Sequence, residues 1–249
     1  MLKTNFAKAV QSYDASSDIQ TYLFEQLLQH IPLKKYEKIV DLGSGTGQLT
    51  HTLFNIFHPS NVVGLDCCEE MVRHANENYG SENLRFEIQD LCYTEVASTV
   101  DMIISNAALQ WVDSFSPIWK SMIDRVKNHG VLAFSTFFPT TFFELQESIN
   151  NTYSHSGKLP VQSFRVKKDY ERLLGLNEDA YIYQPVKKQK RFTSLMDLLL
   201  WIKTCGISVS KEQGLWTKEK INHIEKYYVE NFGGIIATFD MGIFVLFKN

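Results

Sequence analysis

Two kinds of apolar pattern alternate along this chain. Short, nearly continuous apolar runs are separated by stretches in which apolar residues recur every three or four positions, the spacing of one helix face. Residues 38–42 form the first run, helical spacing follows over 48–57, and residues 62–65 form a second run that ends at Asp66. Because a helical stretch joins two runs of buried character, we predict a strand, a helix and a parallel strand.

The same alternation continues to residue 137. It predicts helices over residues 70–78 and 115–126 and strands over 84–88, 102–105 and 131–137. Five strands of this kind, joined by helices, are typical of a doubly wound parallel sheet with helices on both faces. We therefore predict the α/β class.

Beyond Pro139 the pattern becomes less regular. It predicts, in order, helices near residues 143–153 and at 167–174, a sixth strand at 181–192, a helical pair at 194–205 and 218–231, and a last strand at 235–247. The expectation is a single domain over residues 1–249, with a mostly parallel seven-stranded sheet. Its predicted parts are N-terminal helices covering the site (1–32), a core (33–153), a lid with the sixth strand (154–192), a helical cap (193–232) and the last strand (233–249).

Composition and charge narrow the class of protein. Apolar residues make up 44% of the 249 residues, which is enough for a packed core and excludes global disorder. The formal charge of −3 argues against a nucleic-acid coat. No stretch approaches the roughly 20 apolar residues of a membrane span and no signal sequence is recognisable, so we expect a cytoplasmic protein. The four cysteines form no CxxC pair, so we expect reduced thiols and no bound metal.

A glycine-rich turn follows the first predicted strand. Asp41 begins the motif D-x-G-x-G-x-G, which ends just before the predicted helix at 48–57. Glycine is needed where a Cβ would block a tight turn or the approach of a ligand to the backbone. The motif lacks the Lys-Ser/Thr of a phosphate loop and differs from the G-x-G-x-x-G of dinucleotide sites. A purely structural turn between strand and helix is the alternative interpretation.

An acid at the end of the second strand supports the interpretation as a ligand site. Asp66 stands where a carboxylate can accept both hydroxyls of a ribose. An acid in this position is otherwise often a helix cap. Asp66 alone therefore supports a ribose contact and a helix cap equally. Together with the glycine-rich turn it indicates an adenosine-containing ligand.

The arrangement resembles class I S-adenosylmethionine-dependent methyltransferases over the first half of the chain. The resemblance implies a Rossmann-like fold, S-adenosylmethionine as cofactor and S-adenosylhomocysteine as product, with residues 33–153 as the cofactor-binding core. It places the glycines under the methionine part, Asp66 on the ribose, Cys67 and Met71 along the adenine, and Asp90 at the adenine amino group. The full set of implied cofactor-binding residues is Asp41, Gly43, Ser44, Gly45, Gly47, Asp66, Cys67, Met71, Asp90, Leu91, Asn106 and Ala107.

A second motif, S-N-A-A-L-Q-W, follows the fourth strand at residues 105–111. The carboxyl ends of parallel strands line the crevice where ligands bind, so we expect this motif to face the site. Trp111 could also be a core residue. The pattern S-N-A-x-L-Q-W resembles methyltransferases that act on small carboxylates and on their thioester conjugates.

Three further segments resemble the malonyl-acyl-carrier-protein methyltransferases of biotin synthesis. They are residues 6–20, the exit of the fifth strand at 134–145, and residues 200–206 of the predicted cap. The resemblance implies transfer of a methyl group to the free carboxylate of a malonyl thioester. Family members carry an arginine on the lid, where this chain has Ser163, with Arg165 two places on.

The implied chemistry depends mainly on positioning. A carboxylate with a pKa of about 4 is already ionised at neutral pH, so no general base is expected. Tyr13, Gln110 and Trp111 are the candidate catalytic residues, in a positioning role, and the hydroxyl of Tyr13 could equally serve the packing of its helix. Arg165 and Lys168 are the candidate contacts from the lid to the substrate or its carrier.

The resemblance implies an acyl carrier protein bearing a malonyl thioester, or malonyl-coenzyme A, as partner. Residues 158–191, here called the basic segment, hold nine Lys+Arg against four Asp+Glu. Carrier proteins are typically acidic, so this segment could steer docking, or it could be an ordinary solvated surface.

Two other functions remain open from the sequence. One is methylation of a small free polycarboxylate such as trans-aconitate, whose enzymes share the S-N-A-x-L-Q-W wording. The other is a non-catalytic assembly factor of the same family that binds the cofactor. Nucleic-acid methylation is disfavoured because the net charge is negative and no N/D-P-P-Y/F motif follows the fourth strand.

Overall fold

The fold is built on seven strands in one sheet. The computed structural model describes residue 10 and residues 13–93, 95–153, 158–177, 180–205 and 217–248. The strands are β1 (Lys38–Leu42), β2 (Asn61–Asp66), β3 (Leu84–Ile88), β4 (Val100–Asn106), β5 (Val126–Phe137), β6 (Tyr181–Phe192) and β7 (Ile235–Phe247). Their order across the sheet is β3-β2-β1-β4-β5-β7-β6.

Helices connect these strands and cover both faces of the sheet. They are α1 (Asp18–Leu28), α2 (Gln48–Phe57), α3 (Glu69–Tyr79), α4 (Ile118–Arg125), α5 (Phe143–Thr152), α6 (Lys167–Leu174), α7 (Leu195–Thr204) and α8 (Lys218–Phe232). Short 3₁₀ turns lie at Leu109–Trp111 and Pro160–Ser163. No helix in the described ranges has the length and apolar character to cross a membrane.

The first five strands are parallel, and β7 runs antiparallel between β5 and β6. This confirms the predicted mostly parallel seven-stranded sheet. The register pairs Asp41 with Gly64 on one side and with Ile104 on the other. The carboxyl ends of β1, β2 and β4 therefore meet at one edge of the sheet, where loops that follow these strands can form a common site.

Alternate residues of each strand enter cores on opposite faces. On β1, Ile39 belongs to one buried cluster and Val40 to the other. On β4, Met102 and Ile103 divide in the same way. Burying a Val, Leu or Ile side chain contributes about 1.5–3 kcal/mol, so a strand that is apolar on both faces is stable only between two helical layers.

Most predicted element boundaries agree with the structure, but β5 begins five residues before the predicted start at 131. Val126 pairs with Val100, and the ladder shifts register before Met102 pairs with Val131. The polar residues between, including His129 at φ 61°, form the irregular part of the strand. The apolar pattern could not show this, because a bulge interrupts the alternation without ending the pairing.

Two predicted segments are only partly described. Residues 1–9 carry part of the N-terminal motif, and residues 206–216 join the two cap helices; both lie outside the described residues. The described part of the N-terminal segment includes a helical turn at residues 13–16 and the helix α1. Helix α1 lies against β4 and β5, where Asn106 Nδ2 donates to the carbonyl oxygen of Gln20 at 3.0 Å.

Candidate functional site

A cleft of about 250 Å³ opens where β1, β2 and β4 end. Its lining combines residues that follow β1, β2, β3 and β4 with one residue from the N-terminal segment. The lining residues are Tyr13, Gly43, Gly45, Asp66, Cys67, Met71, Asp90, Leu91, Cys92, Asn106, Ala107, Ala108, Trp111 and Val112. Most of the residues predicted to bind the cofactor therefore lie around one cleft.

The glycine turn lines this cleft through Gly43 and Gly45. Gly43 has φ +80°, and a Cβ at this position would lie 2.2 Å from the Cβ of Ala108. Gly45 has φ +55° with open space around it, so its backbone can approach a ligand. Both glycines are therefore required, Gly43 for close packing of two loops and Gly45 for its left-handed backbone beside the cleft.

Two members of the motif, Asp41 and Gly47, do not line the cleft. Gly47, at φ +82°, precedes α2, and a Cβ there would meet Ala75 and Phe86 at 2.8 Å. Asp41 is buried and accepts a hydrogen bond of 2.6 Å from Thr50 Oγ1. Burial raises the pKa of Asp41 to about 6. These residues support the loop. The sequence pattern could not distinguish this supporting role from contact with the ligand.

Ser44, between Gly43 and Gly45 in the motif, is buried. Its Oγ is one of the few buried side-chain atoms in the described chain without a hydrogen-bond partner. Its backbone N–H and that of Gly43 both donate to the carbonyl oxygen of Leu65. These two contacts hold the glycine turn against the end of β2.

Asp66 is fixed by two backbone donors. Its Oδ2 accepts from the N–H of Gly45 and its Oδ1 from the N–H of Cys68, both at 2.9 Å. A carboxylate oxygen can accept more than one hydrogen bond, so a ligand hydroxyl can share it with a backbone donor. The contact with Gly45 also couples the ribose-binding candidate to the glycine turn.

The far side of the cleft is the candidate adenine pocket. Cys67, Met71, Asp90 and Leu91 all line the cleft, and contact of Cys67, Met71 and Asp90 with an adenine stays a prediction from the family resemblance. Asp90 Oδ1 accepts a hydrogen bond from the N–H of Cys92 at 3.0 Å, which fixes the turn after β3. Sequence reasoning missed Cys92, Ala108 and Val112, although each lies beside a predicted residue in the same loop.

A second, smaller cavity of about 30 Å³ adjoins the cleft. It shares Tyr13, Ala107 and Trp111 with the cleft, and its other walls come from distant parts of the chain. These additional lining residues are Gln20, Gln110, Phe137, Thr141, Phe142, Val161, Phe164, Trp201, Cys205 and Phe239. The lining is dominated by aromatic side chains, so a group that enters it loses most of its contact with water.

The loop after β4 forms the boundary between the two cavities. Ala107 has φ +53°, an uncommon conformation for a residue other than glycine. Ser135 stabilises it, since its Oγ accepts from the N–H of Ala107 and donates to Asn106 Oδ1. Gln110 Nε2 donates to the carbonyl oxygen of Ala107 at 2.7 Å, and Gln110 lines only the smaller cavity.

Tyr13 lines both cavities and is partly buried. Burial, together with the nearby Cys205, Asp66 and Asp14, raises the pKa of Tyr13 well above its usual range. Its hydroxyl is therefore neutral and keeps its proton. The neighbouring Asp14 accepts a hydrogen bond of 2.6 Å from Thr46 Oγ1, which ties the N-terminal segment to the glycine turn.

The lid cations lie outside both cavities. Arg165 donates to the carbonyl oxygen of Val112 and to Ser114 Oγ, and its guanidinium lies 5.3 Å from the ring centre of Trp119. It therefore supports the loop that continues from Trp111. Lys168 is exposed on α6 and lines neither cavity.

Comparison with known protein families gives one family match. The family described as "Methyltransferase domain" matches residues 33–197. Among curated proteins, malonyl-[acyl-carrier protein] O-methyltransferase 1 of Ilyobacter polytropus is 30% identical, with 92% of this chain and 86% of that protein covered. The malonyl-[acyl-carrier protein] O-methyltransferase of Acetivibrio thermocellus is 28% identical, with 96% and 90% covered.

Solved structures share the fold at low sequence identity. The YcgJ protein of Bacillus subtilis gives a TM-score of 0.60 at 14% identity, with 92% of this chain and 99% of that one covered. Geranyl diphosphate C-methyltransferase from Streptomyces coelicolor, solved with S-adenosyl-L-homocysteine, gives 0.52 at 15% identity, with 92% and 79% covered. At these identities the likeness concerns the fold.

Proposed function

Since this chain belongs to the S-adenosylmethionine-dependent methyltransferases and is a relative of the malonyl-[acyl-carrier protein] O-methyltransferases, we propose that it methylates the free carboxylate of a malonyl thioester. The product would be a malonyl methyl ester, which by the family resemblance primes the synthesis of a pimeloyl chain for biotin. The observation that carries this proposal is the chemistry of the smaller cavity.

The residues of the larger cleft fit S-adenosylmethionine. Gly45 has open space around its backbone, and Asp66 and Asp90 are the proposed partners of the ribose and the adenine; all three residues line the cleft. When bound, S-adenosylmethionine supplies a methyl group on a positively charged sulfur.

The smaller cavity suits an acceptor that needs no base. None of the described residues that line it is a His, Asp, Glu, Lys or Arg. Burial raises the pKa of Cys205 to about 12, and Tyr13 is likewise neutral, so neither can take a proton from an acceptor near pH 7. A carboxylic acid, with a reference pKa of about 4, has already lost its proton. An amine or hydroxyl acceptor would lack a partner for its proton.

The transfer itself balances without a proton. A carboxylate oxygen forms the new bond to the methyl carbon as the methyl–sulfur bond breaks, and the bonding pair stays on sulfur. The products are a methyl ester and S-adenosylhomocysteine. Positioning of the two reactants can contribute roughly 7–11 kcal/mol to lowering the barrier.

Neutral donors can meet the carboxylate as it leaves water. Burying an ionised carboxylate costs several kcal/mol unless hydrogen-bond donors face it. The Tyr13 hydroxyl lies at the boundary of the two cavities, and the Gln110 amide lines the acceptor side. We assign both a positioning role, with Trp111 as an aromatic wall that packs edge-on against Phe164 at 4.7 Å.

The basic segment is the proposed docking site for an acidic carrier protein. Some of its cations already have acidic neighbours, as Lys167 has Glu171 and Lys190 has Asp18. Others are open to solvent, including Lys168 and Arg172; the Arg172 side chain is 82% exposed and lies 4.0 Å from Asp169. Malonyl-coenzyme A would use the same cavities without needing this surface.

The test offers the purified protein four acceptors with S-adenosylmethionine: malonyl-carrier protein, malonyl-coenzyme A, free malonate and trans-aconitate. Mass spectrometry of each acceptor should show a methyl ester that forms fastest on the malonyl thioesters. Asp66→Ala is the matched control and should weaken cofactor binding by about 10-fold or more.

Other outcomes would change the assignment. Methylation of trans-aconitate alone would show an enzyme for free polycarboxylates. Cofactor binding without transfer to any of the four acceptors would contradict the proposed reaction and favour a non-catalytic assembly factor.

A further inference from the structure

Two buried polar atoms without hydrogen-bond partners belong to residues that line the smaller cavity. Within the described residues there are three such side-chain atoms: Gln20 Oε1, Ser44 Oγ and Trp201 Nε1. Gln20 and Trp201 both line the smaller cavity, whereas Ser44 lines neither cavity. Because buried polar groups in folded proteins are nearly always hydrogen-bonded, this clustering points to a polar ligand in the smaller cavity.

Trp201 is held firmly by its surroundings. It lies on the cap helix α7, and its ring packs edge-on against Phe239 and Phe192 at 5.5 and 5.8 Å. Lys190 Nζ lies 4.9 Å from the ring centre and is itself paired with Asp18 at 2.8 Å. The indole is therefore fixed, and its shielded N–H cannot turn to solvent.

We propose that the Trp201 indole N–H donates a hydrogen bond to the carbonyl oxygen of the acceptor's thioester group, which makes the cap helix a specificity-determining element. This inference rests on the proposed function. An indole N–H only donates, so it selects an oxygen acceptor and would leave a methylene group unbonded.

The shared wall of the two cavities fixes the direction of the acceptor. The reacting carboxylate must lie at the boundary formed by Tyr13, Ala107 and Trp111, because the methyl group arrives from the larger cleft. The carbonyl group, one methylene further along, then lies deeper in the smaller cavity, where Trp201 is part of the wall. A free dicarboxylate can place a second carboxylate there, but a simple monocarboxylate offers the N–H no partner.

The experiment combines a substitution with a change of substrate. Trp201→Phe keeps the aromatic ring and removes the N–H, and a thioether analogue of malonyl-coenzyme A replaces the carbonyl by a methylene while keeping the carboxylate. Trp201→Phe should raise KM for malonyl-coenzyme A by about 10-fold, with kcat and cofactor affinity changed by less than about 3-fold. The wild type should show a similar loss on the thioether, and the variant no additional one.

Trp119→Phe is the matched control. Trp119 donates its indole N–H to the carbonyl oxygen of Asp113, away from both cavities. This substitution should leave the ratio of the two KM values as it is in the wild type. Thermal unfolding of all three proteins separates a loss of stability from a loss of recognition.

Two results would overturn the inference, and they differ. If the wild type methylates malonyl-coenzyme A but Trp201→Phe affects thioester and thioether equally, Trp201 only shapes the cap, and the proposed function stands. If the wild type methylates no malonyl thioester at all, the proposed function fails and the inference fails with it.

Discussion

A single buried carboxyl, Asp41, makes the stability of the molecule depend on pH. Burial raises its pKa from 3.8 to about 6, while the hydrogen bond from Thr50 lowers it and the nearby Asp66 raises it further. The folded state therefore holds a proton that the unfolded state has already lost between about pH 4 and 6. Stability from this group is fully present below pH 4 and is lost as the pH rises through 6.

We predict that Asp41→Asn is more stable than the wild type at neutral pH. Asparagine cannot ionise but can still accept the Thr50 hydroxyl. The difference in free energy of unfolding between variant and wild type should grow by up to about 3 kcal/mol from pH 4 to 7. Urea unfolding at pH 4, 5, 6 and 7 measures this difference, and a difference that stays constant over the range would contradict the prediction.

At Tyr13 a role in catalysis can be separated from a role in packing, because the hydroxyl can be removed while the ring is kept. It lines both cavities and keeps its proton, so it can donate to the acceptor carboxylate. Tyr13→Phe should lower kcat by about 10-fold or more, because a hydrogen bond to a charged group contributes about 1.5–3 kcal/mol. Cofactor affinity, measured by calorimetry, should change by less than about 2-fold. Equal losses in kcat and in cofactor affinity would assign the hydroxyl to the fold.

At the scale of elements, the N-terminal segment is attached to the cofactor side of the site. Thr46 Oγ1 in the glycine turn donates to Asp14 Oδ1 at 2.6 Å, one residue from Tyr13. Lys190 on β6 and Asn106 at the end of β4 hold the following helix α1 through Asp18 and Gln20. Contacts with three separate strands or their loops thus hold the segment in place, with Tyr13 at both cavities.

Thr46→Val should loosen this attachment. The variant keeps the shape of the side chain but leaves Asp14 without its hydroxyl donor. Cofactor affinity should fall by about 3- to 10-fold, and amide hydrogens of residues 13–16 should exchange faster by a similar factor. Thr52→Val is the control, since the Thr52 hydroxyl donates only within α2 and is exposed. If the two variants bind the cofactor equally, the Asp14 contact does not contribute to closure.

Element positions were predictable where apolar runs are long and well bounded. The sequence predicted β3, β6, β7 and α6 with the bounds that the structure has. Helix α4 begins three residues later than predicted, at Ile118, because Pro117 caps it and the preceding residues form a turn held by Asp113. Such boundaries depend on local hydrogen bonds that an apolar pattern does not record.

The larger cleft was predictable and the smaller cavity was not. Residues that follow β1, β2 and β4 must meet at one edge of a parallel sheet, so a strand pattern is sufficient to group Gly43, Asp66 and Asn106. Trp201 and Phe239 reach the smaller cavity from the cap and from β7, and no spacing along the chain indicates that they meet. The sequence also did not show which motif residues face away from the cleft. Asp41 accepts a hydrogen bond from Thr50, and Gly47 lies close to Ala75 and Phe86.

On the scale of the whole molecule, charge is divided between an acidic body and the basic segment. The chain carries a formal charge of −3, although residues 158–191 hold nine Lys+Arg against four Asp+Glu. An acidic carrier protein would be repelled by most of the surface and attracted to this segment. Such steering weakens with salt, because the screening length falls to about 8 Å at physiological ionic strength.

We predict that kcat/KM for malonyl-carrier protein falls by about 5- to 10-fold between 20 and 200 mM NaCl, but by less than about 2-fold for malonyl-coenzyme A. The double substitution Lys168→Glu with Arg172→Glu should lower the carrier value at low salt and flatten its salt dependence. Lys226→Glu is the control, because Lys226 lies on α8, outside the basic segment, near Glu230. Equal salt dependence for both acceptors would mean that this surface does not raise kcat/KM for the carrier protein. The basic segment would then be a solvated surface without a docking role.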